Sequence, residues 1–173
     1  MSCFFSPAQI SLAGQTFSQA EKMAGQYYRL NPVEWKAHRY DVKTLAYLDE
    51  HEVREGTFAH LCKYELGDEP QASRKHFYRI CLQDDRILDA VDRANSFIRL
   101  APLLLYISAH ELVHVIRFDR GVGNFDATEA EKAEEEEKVH RITRNLLKPT
   151  TDRDLNMVMD CFSSRYQIGD LLQ

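Results

Sequence analysis

The stretch Ile107-Ser108-Ala109-His110-Glu111-Leu112-Val113-His114-Val115-Ile116 decides how this chain is read. Its two histidines stand at i and i+4, with a glutamate directly after the first. On a helix those two positions share a face, so His110 and His114 can present ring nitrogens to one ion while Glu111 points toward a water held beside it. Zinc in that position would lower the pKa of the water toward about 7, and Glu111 would take its proton as general base.

A five-residue pattern needs support from its flanks, and they supply it. No charged residue separates Leu100 from Glu111, and Leu112, Val113, Val115 and Ile116 carry the apolar character past the second histidine. A helix apolar nearly all round is a buried helix, and two imidazoles and a carboxylate inside one are costly without a shared ion or a hydrogen-bond network. The alternative is a pair of hydrogen-bonded core histidines that bind nothing. Pro102 fits the first turn of this helix, which is expected to run from about Ala101 to about Phe118. The turn Gly121-Val122-Gly123-Asn124 follows it.

Two histidines leave a catalytic zinc site incomplete, since such sites commonly have three protein ligands plus water. The segment 129–148 is helical in composition, and its run Glu134-Glu135-Glu136-Glu137 reads for the most part as a solvated face near a helix N-terminus. Its apolar stripe singles out one member. Val139, Ile142 and Leu146 repeat at three and four, and one step back along that stripe reaches Glu136. Glu136 is therefore the candidate third ligand. Glu137, Glu135 and His140, the last at i+4 from Glu136, stay open as alternatives. Tyr106, His140 and Tyr166 are candidates for stabilising a developing oxyanion.

Elsewhere the reading concerns scaffold. Thr16 or Ser18 caps a helix over residues 19–28, ended by Asn31-Pro32. Asp49 caps a second helix over residues 50–65, with Val53, Phe58, Leu61 and Cys62 at helical spacing. Residues 75–83, with His76-Phe77-Tyr78-Arg79-Ile80-Cys81-Leu82, form the best strand candidate, and an edge strand there could hold an extended peptide. A helix over residues 85–99 and a last one after Lys148-Pro149-Thr150-Thr151 complete the pattern.

The chain has 173 residues, 44% hydrophobic and 28% charged, with a formal net charge of −5. That length and composition suit one domain with a sizeable core. The acidic balance argues against direct nucleic-acid binding and a basic membrane-binding face. The N-terminus lacks the basic and apolar regions of a secretion signal, and the apolar run 100–110 is short for a bilayer span, so a cytoplasmic protein is expected. Cys3, Cys62, Cys81 and Cys161 form no CxxC pair and have no histidine at ligand spacing beside them. They read as free thiols, mostly small core residues.

The motif His110-Glu111-Leu112-Val113-His114 followed by a glutamate-bearing helix resembles the gluzincin zinc peptidases. The segment Val139-His140-Arg141-Ile142-Thr143-Arg144-Asn145-Leu146-Leu147-Lys148-Pro149 is similar to the ImmA/IrrE-type metallopeptidase signature, Ala-Asn-x-Phe-Ala-x-x-Leu-Leu-Met-Pro. Leu146, Leu147 and Pro149 match outright, and Val139 and Ile142 match in apolar character. Where that signature has a glutamate before its alanine, this chain has Lys138. The resemblance covers residues 107–149 and implies a cytosolic protease acting on a protein or peptide, often a regulator.

The expectation is thus a mainly α (α+β) fold: one zincin-like domain over residues 1–173, with a small β-sheet or ribbon and the HExxH helix buried. One Zn2+ per chain would sit on His110, His114 and Glu136, with Glu111 catalytic. A non-catalytic zinc-stabilised regulatory or interaction domain is the alternative, with a metal-free helical domain behind it.

Overall fold

The computed structural model describes residues 3–67, 75–150 and 152–162. It is a mainly helical α+β fold assembled around one helix. That helix, α4 (Leu100–Asp119), is buried at every position from Leu103 to Ile116. By length and composition it could cross a bilayer, yet 78% of its most apolar window is covered by the rest of the fold. The cover comes from α1 (Pro7–Tyr28), α3 (Asp84–Arg93), α5 (Glu129–Leu147), α6 (Arg153–Cys161) and the sheet. Pro102 occupies its first turn, where a missing N–H costs nothing.

The sheet has three strands in the order β1-β3-β2, with β1 (Tyr40–Lys43) parallel and β2 (Ala59–Leu66) antiparallel to the central β3 (Lys75–Leu82). Ile80 and Leu82 are fully buried on one face of β3. On that face Tyr78 packs on Phe118 of α4, ring centroids 5.9 Å apart. Asp119, at the end of α4, accepts hydrogen bonds from His38 (2.8 Å) and His76 (2.7 Å). It thereby ties β3 and the segment after the short α2 (Pro32–Ala37) to the central helix.

Several local expectations need correction. The first helix begins at Pro7, twelve residues before the expected start, because Ser6 and Gln9 form a capping box with Pro7 in the first turn. Thr16 lies inside it and bonds back to the Ala13 carbonyl at 2.9 Å. Asn31-Pro32 does follow its end, and Asn31 also caps α2. The helix expected over residues 50–65 does not form. Asp49 precedes a single 3-10 turn, Glu50–Glu52, and after Gly56 (φ 78°) the chain runs out as β2. Pairing with β3 overrides the accidental helical spacing of Val53, Phe58, Leu61 and Cys62. The strand over residues 75–82 is present, but it is the central strand and has no free edge to offer; β2 is the outer strand against α4. The helix expected to reach residue 99 stops at Arg93, where Asn95 and Ser96 take left-handed conformations.

Asp84, at the start of α3, anchors two distant segments. Its carboxylate is buried and accepts from the Phe5 N–H at 2.8 Å and the Leu45 N–H at 3.0 Å, one on each oxygen. Asp84→Asn turns one acceptor into a donor facing an N–H. We expect it to lower unfolding stability by about 1–3 kcal/mol in urea titration, where a surface position would leave the midpoint unchanged.

Candidate metal centre

The site is built where α4 meets α5. Thr128 caps α5 by accepting the Glu131 N–H, Glu129 and Glu131 favour its positive end, and Val139, Thr143, Leu146 and Leu147 bury the face turned to the core. That face carries Glu136 toward α4. Its carboxylate receives His114 Nε2 on Oε1 at 2.8 Å and faces His110 Nε2 from Oε2 at 3.2 Å. His140, one turn further along α5, brings its Nε2 to 3.6 Å from the same Oε2.

The four glutamates of the run have separate fates. Glu135 forms a two-armed pair with Arg117 of α4, one arm at 3.0 Å, and so is held beside the site rather than in it. Glu134 pairs with Lys138 along the helix at 3.3 Å, and Glu137 is exposed. Only Glu136 of the four is brought between the histidines.

The metal donors offer a chemical fit. Two ligands each ~2.0–2.1 Å from a tetrahedral ion lie roughly 3.4 Å apart; His110 Nε2 stands 3.2 Å from Glu136 Oε2, close to that, whereas His114 Nε2 stands 2.8 Å from the other oxygen, Oε1, a hydrogen-bond distance. Nδ1 of His110 and of His114 is buried without a hydrogen-bond partner among the described residues, so these rings lack the outer N–H partner that usually orients a metal-binding histidine. Both histidines are buried, whereas the Glu136 side chain is 45% exposed. His110, Glu136 and His140 together present ligand atoms within 4.8 Å of one another. Aromatic rings wall the site, with Phe118 stacked on His114 and Tyr106 on His110.

Electrostatics follow from burial at a shared contact. Burial opposes charge on Glu136, but hydrogen bonds from His110 and His114 overcome it and hold the carboxyl well below the usual carboxylate range. Burial likewise disfavours a charged His110, and the Glu136 hydrogen bond and charge reverse that, raising its pKa. Burial and the neighbouring His110 push His140 down to about 3, leaving a neutral ring. Its Nδ1 sits 2.8 Å from the Tyr106 hydroxyl, which fixes the ring and turns Nε2 to the site. Glu111 is 5% exposed, and burial pushes its carboxyl up against the downward pull of His110 and His114. Tyr166 lies outside the described residues.

A second group of potential metal donors, His60, Cys62 and Cys81, stands on the paired strands β2 and β3. The sequence reading, which found no histidine at ligand spacing beside these cysteines, missed it. Its signal is His60-Leu61-Cys62, two residues on one strand face, but Cys81 joins them only through the β2–β3 register.

In comparison with known proteins, no family model, no curated protein and no solved structure matches this chain.

The coupling of His110 to Glu136 has a pH signature in metal-free protein. A raised His110 pKa contributes stability that is complete below its unfolded value and lost as pH rises through the folded one. A depressed Glu136 pKa contributes stability that is present above its unfolded value and lost as pH falls. Their joint contribution is therefore greatest between about pH 4.3 and 6.5. Glu136→Gln should flatten this maximum and lower the His110 pKa, read by NMR titration of the imidazole. An unchanged His110 titration would mean that the ring and the carboxylate are not in contact.

Proposed function

We propose that this protein is a zinc-dependent peptidase whose centre is formed by α4 and α5. The observation that carries the reading is the convergence of His110 Nε2 and His114 Nε2 on the two oxygens of Glu136, directly beside the buried Glu111. His110, His114 and Glu136 would hold zinc, with His140 adjoining them. When bound there, zinc polarises a peptide carbonyl and acidifies a water at neutral pH.

The remaining work belongs to the side chains. Glu111 takes the proton of the attacking water and passes it to the departing amine. His140, neutral and steadied by Tyr106, donates a hydrogen bond from Nε2 to the oxyanion as the carbonyl is attacked. For that, Nδ1 accepts the Tyr106 O–H. The outer strand β2, which contacts α4, offers backbone groups to an extended peptide along the edge away from β3. The resemblance of residues 107–149 to the ImmA/IrrE-type metallopeptidases supports the same reading and suggests a regulatory substrate protein in the cytoplasm.

Glu111→Gln separates catalysis from metal retention. The variant should keep the zinc content of the wild type while its kcat on a quenched-fluorescent peptide library falls by about 10²–10⁴, as expected for loss of a general base. His114→Ala should lose both zinc and turnover. A zinc-loaded wild type without hydrolytic activity, or a Glu111→Gln variant as active as wild type, would overturn the peptidase reading; the former would favour a non-catalytic zinc-stabilised domain.

A further inference from the structure

The face of the sheet opposite Tyr78 and Phe118 carries a cluster that the helix site does not use. Cys62 and Cys81 bring their Sγ atoms to 3.9 Å across the β2–β3 pair, and His60 Nδ1 lies 3.9 Å from Cys62 Sγ. His60 is the cross-strand partner of Cys81, and Cys62 follows two residues along β2, so all three project on one side. The other nitrogen of His60 donates to the Glu52 carbonyl at 2.6 Å. A carbonyl can only accept, so in the neutral ring the proton is on Nε2 and the Nδ1 lone pair is the one turned toward the thiols. Metal-binding histidines characteristically have this arrangement, with the second ring nitrogen donating to a backbone carbonyl that fixes tautomer and orientation.

We propose that His60, Cys62 and Cys81 form a second metal site, separate from the α4–α5 centre and selective for a thiophilic cation such as zinc. Sulfurs ~2.3 Å from a tetrahedral zinc lie roughly 3.8 Å apart, and a sulfur and an imidazole nitrogen roughly 3.6 Å apart; the Cys62–Cys81 and Cys62–His60 distances, both 3.9 Å, are close to these, and all three ligand atoms lie within 4.8 Å of one another. Two thiolates neutralise a divalent cation, so the loaded cluster adds no net charge beside the half-buried His60 and Cys62 and the buried Cys81. Soft sulfur donors select zinc or copper(I) over magnesium or calcium. Three protein donors leave one position for water. Bound there, the ion links β2 to β3 and, through the His60–Glu52 bond, braces the Glu50–Glu52 turn.

Cobalt(II) distinguishes the two sites, because only thiolate ligands give an intense near-ultraviolet charge-transfer band and the helix site has none. Reduced, metal-free full-length protein titrated with cobalt(II) should develop that band and lose it on competition with zinc. His110→Ala/His114→Ala should retain it, and Cys62→Ser should abolish or sharply weaken it. A readout independent of any variant is alkylation of the wild type mapped by mass spectrometry: zinc should protect Cys62 and leave Cys3 and Cys161 as reactive as before. The proposal is overturned by absence of the band in wild type, by a band that disappears with the histidine pair on α4 and survives Cys62→Ser, or by alkylation of Cys62 that zinc does not slow. These outcomes are independent of whether the protein hydrolyses peptides.

Discussion

The structure depends on the contact between the imidazoles of α4 and the carboxylate of Glu136 on α5. A helix buried on all sides from Leu103 to Ile116 cannot carry His110, Glu111 and His114 without groups to match them. Ser108 on the same helix is satisfied locally: it donates to the Leu104 carbonyl at 2.6 Å and stands 3.3 Å from the Thr16 hydroxyl of α1. The histidines have no such local solution, and their Nδ1 atoms remain without partners among the described residues. What they share is Glu136, delivered by a second helix whose own apolar stripe sets its rotation.

That requirement constrains neighbouring parts. The Arg117–Glu135 pair fixes α5 against α4 one position from Glu136, so the register that places Glu136 between the histidines is held by an adjoining ion pair. Gly123 allows the turn after α4 to pass close to this pair: a Cβ there would stand 2.7 Å from Glu135 Oε1. Phe162 stacks on Tyr106 at 4.4 Å, bringing the end of α6 against the tyrosine that orients His140. The same few residues thus serve packing and electrostatic matching together, and local substitutions around the α4–α5 contact should be felt at the site.

The sequence made α4 and α5 legible for a simple reason. Both are long and strongly patterned, and the step back from Val139 to Glu136 is a local, same-helix argument. It could not say that Glu135 would be taken by Arg117, because that pairing crosses between helices. Non-local pairing also explains the misreading of residues 50–65. Val53, Phe58, Leu61 and Cys62 fit a helical face on spacing alone, and only β3, later in the chain, makes a strand of Ala59–Leu66. The His60, Cys62 and Cys81 cluster was hidden for the same reason, since its geometry is a consequence of register. The early start of α1 is different in kind: Ser6-Pro7-Ala8-Gln9 is a local signal, and it outweighs the later Thr16 and Ser18.

We propose that the convergence of His110, His114 and Glu136 forms a metal site. Diffraction from crystals of the zinc-loaded wild type, recorded at the zinc absorption edge, tests it most directly. The account predicts an anomalous peak within bonding distance of His110 Nε2, His114 Nε2 and an oxygen of Glu136. Saturating zinc with no peak at that point, and both Nε2 atoms still hydrogen-bonded to Glu136, would contradict it.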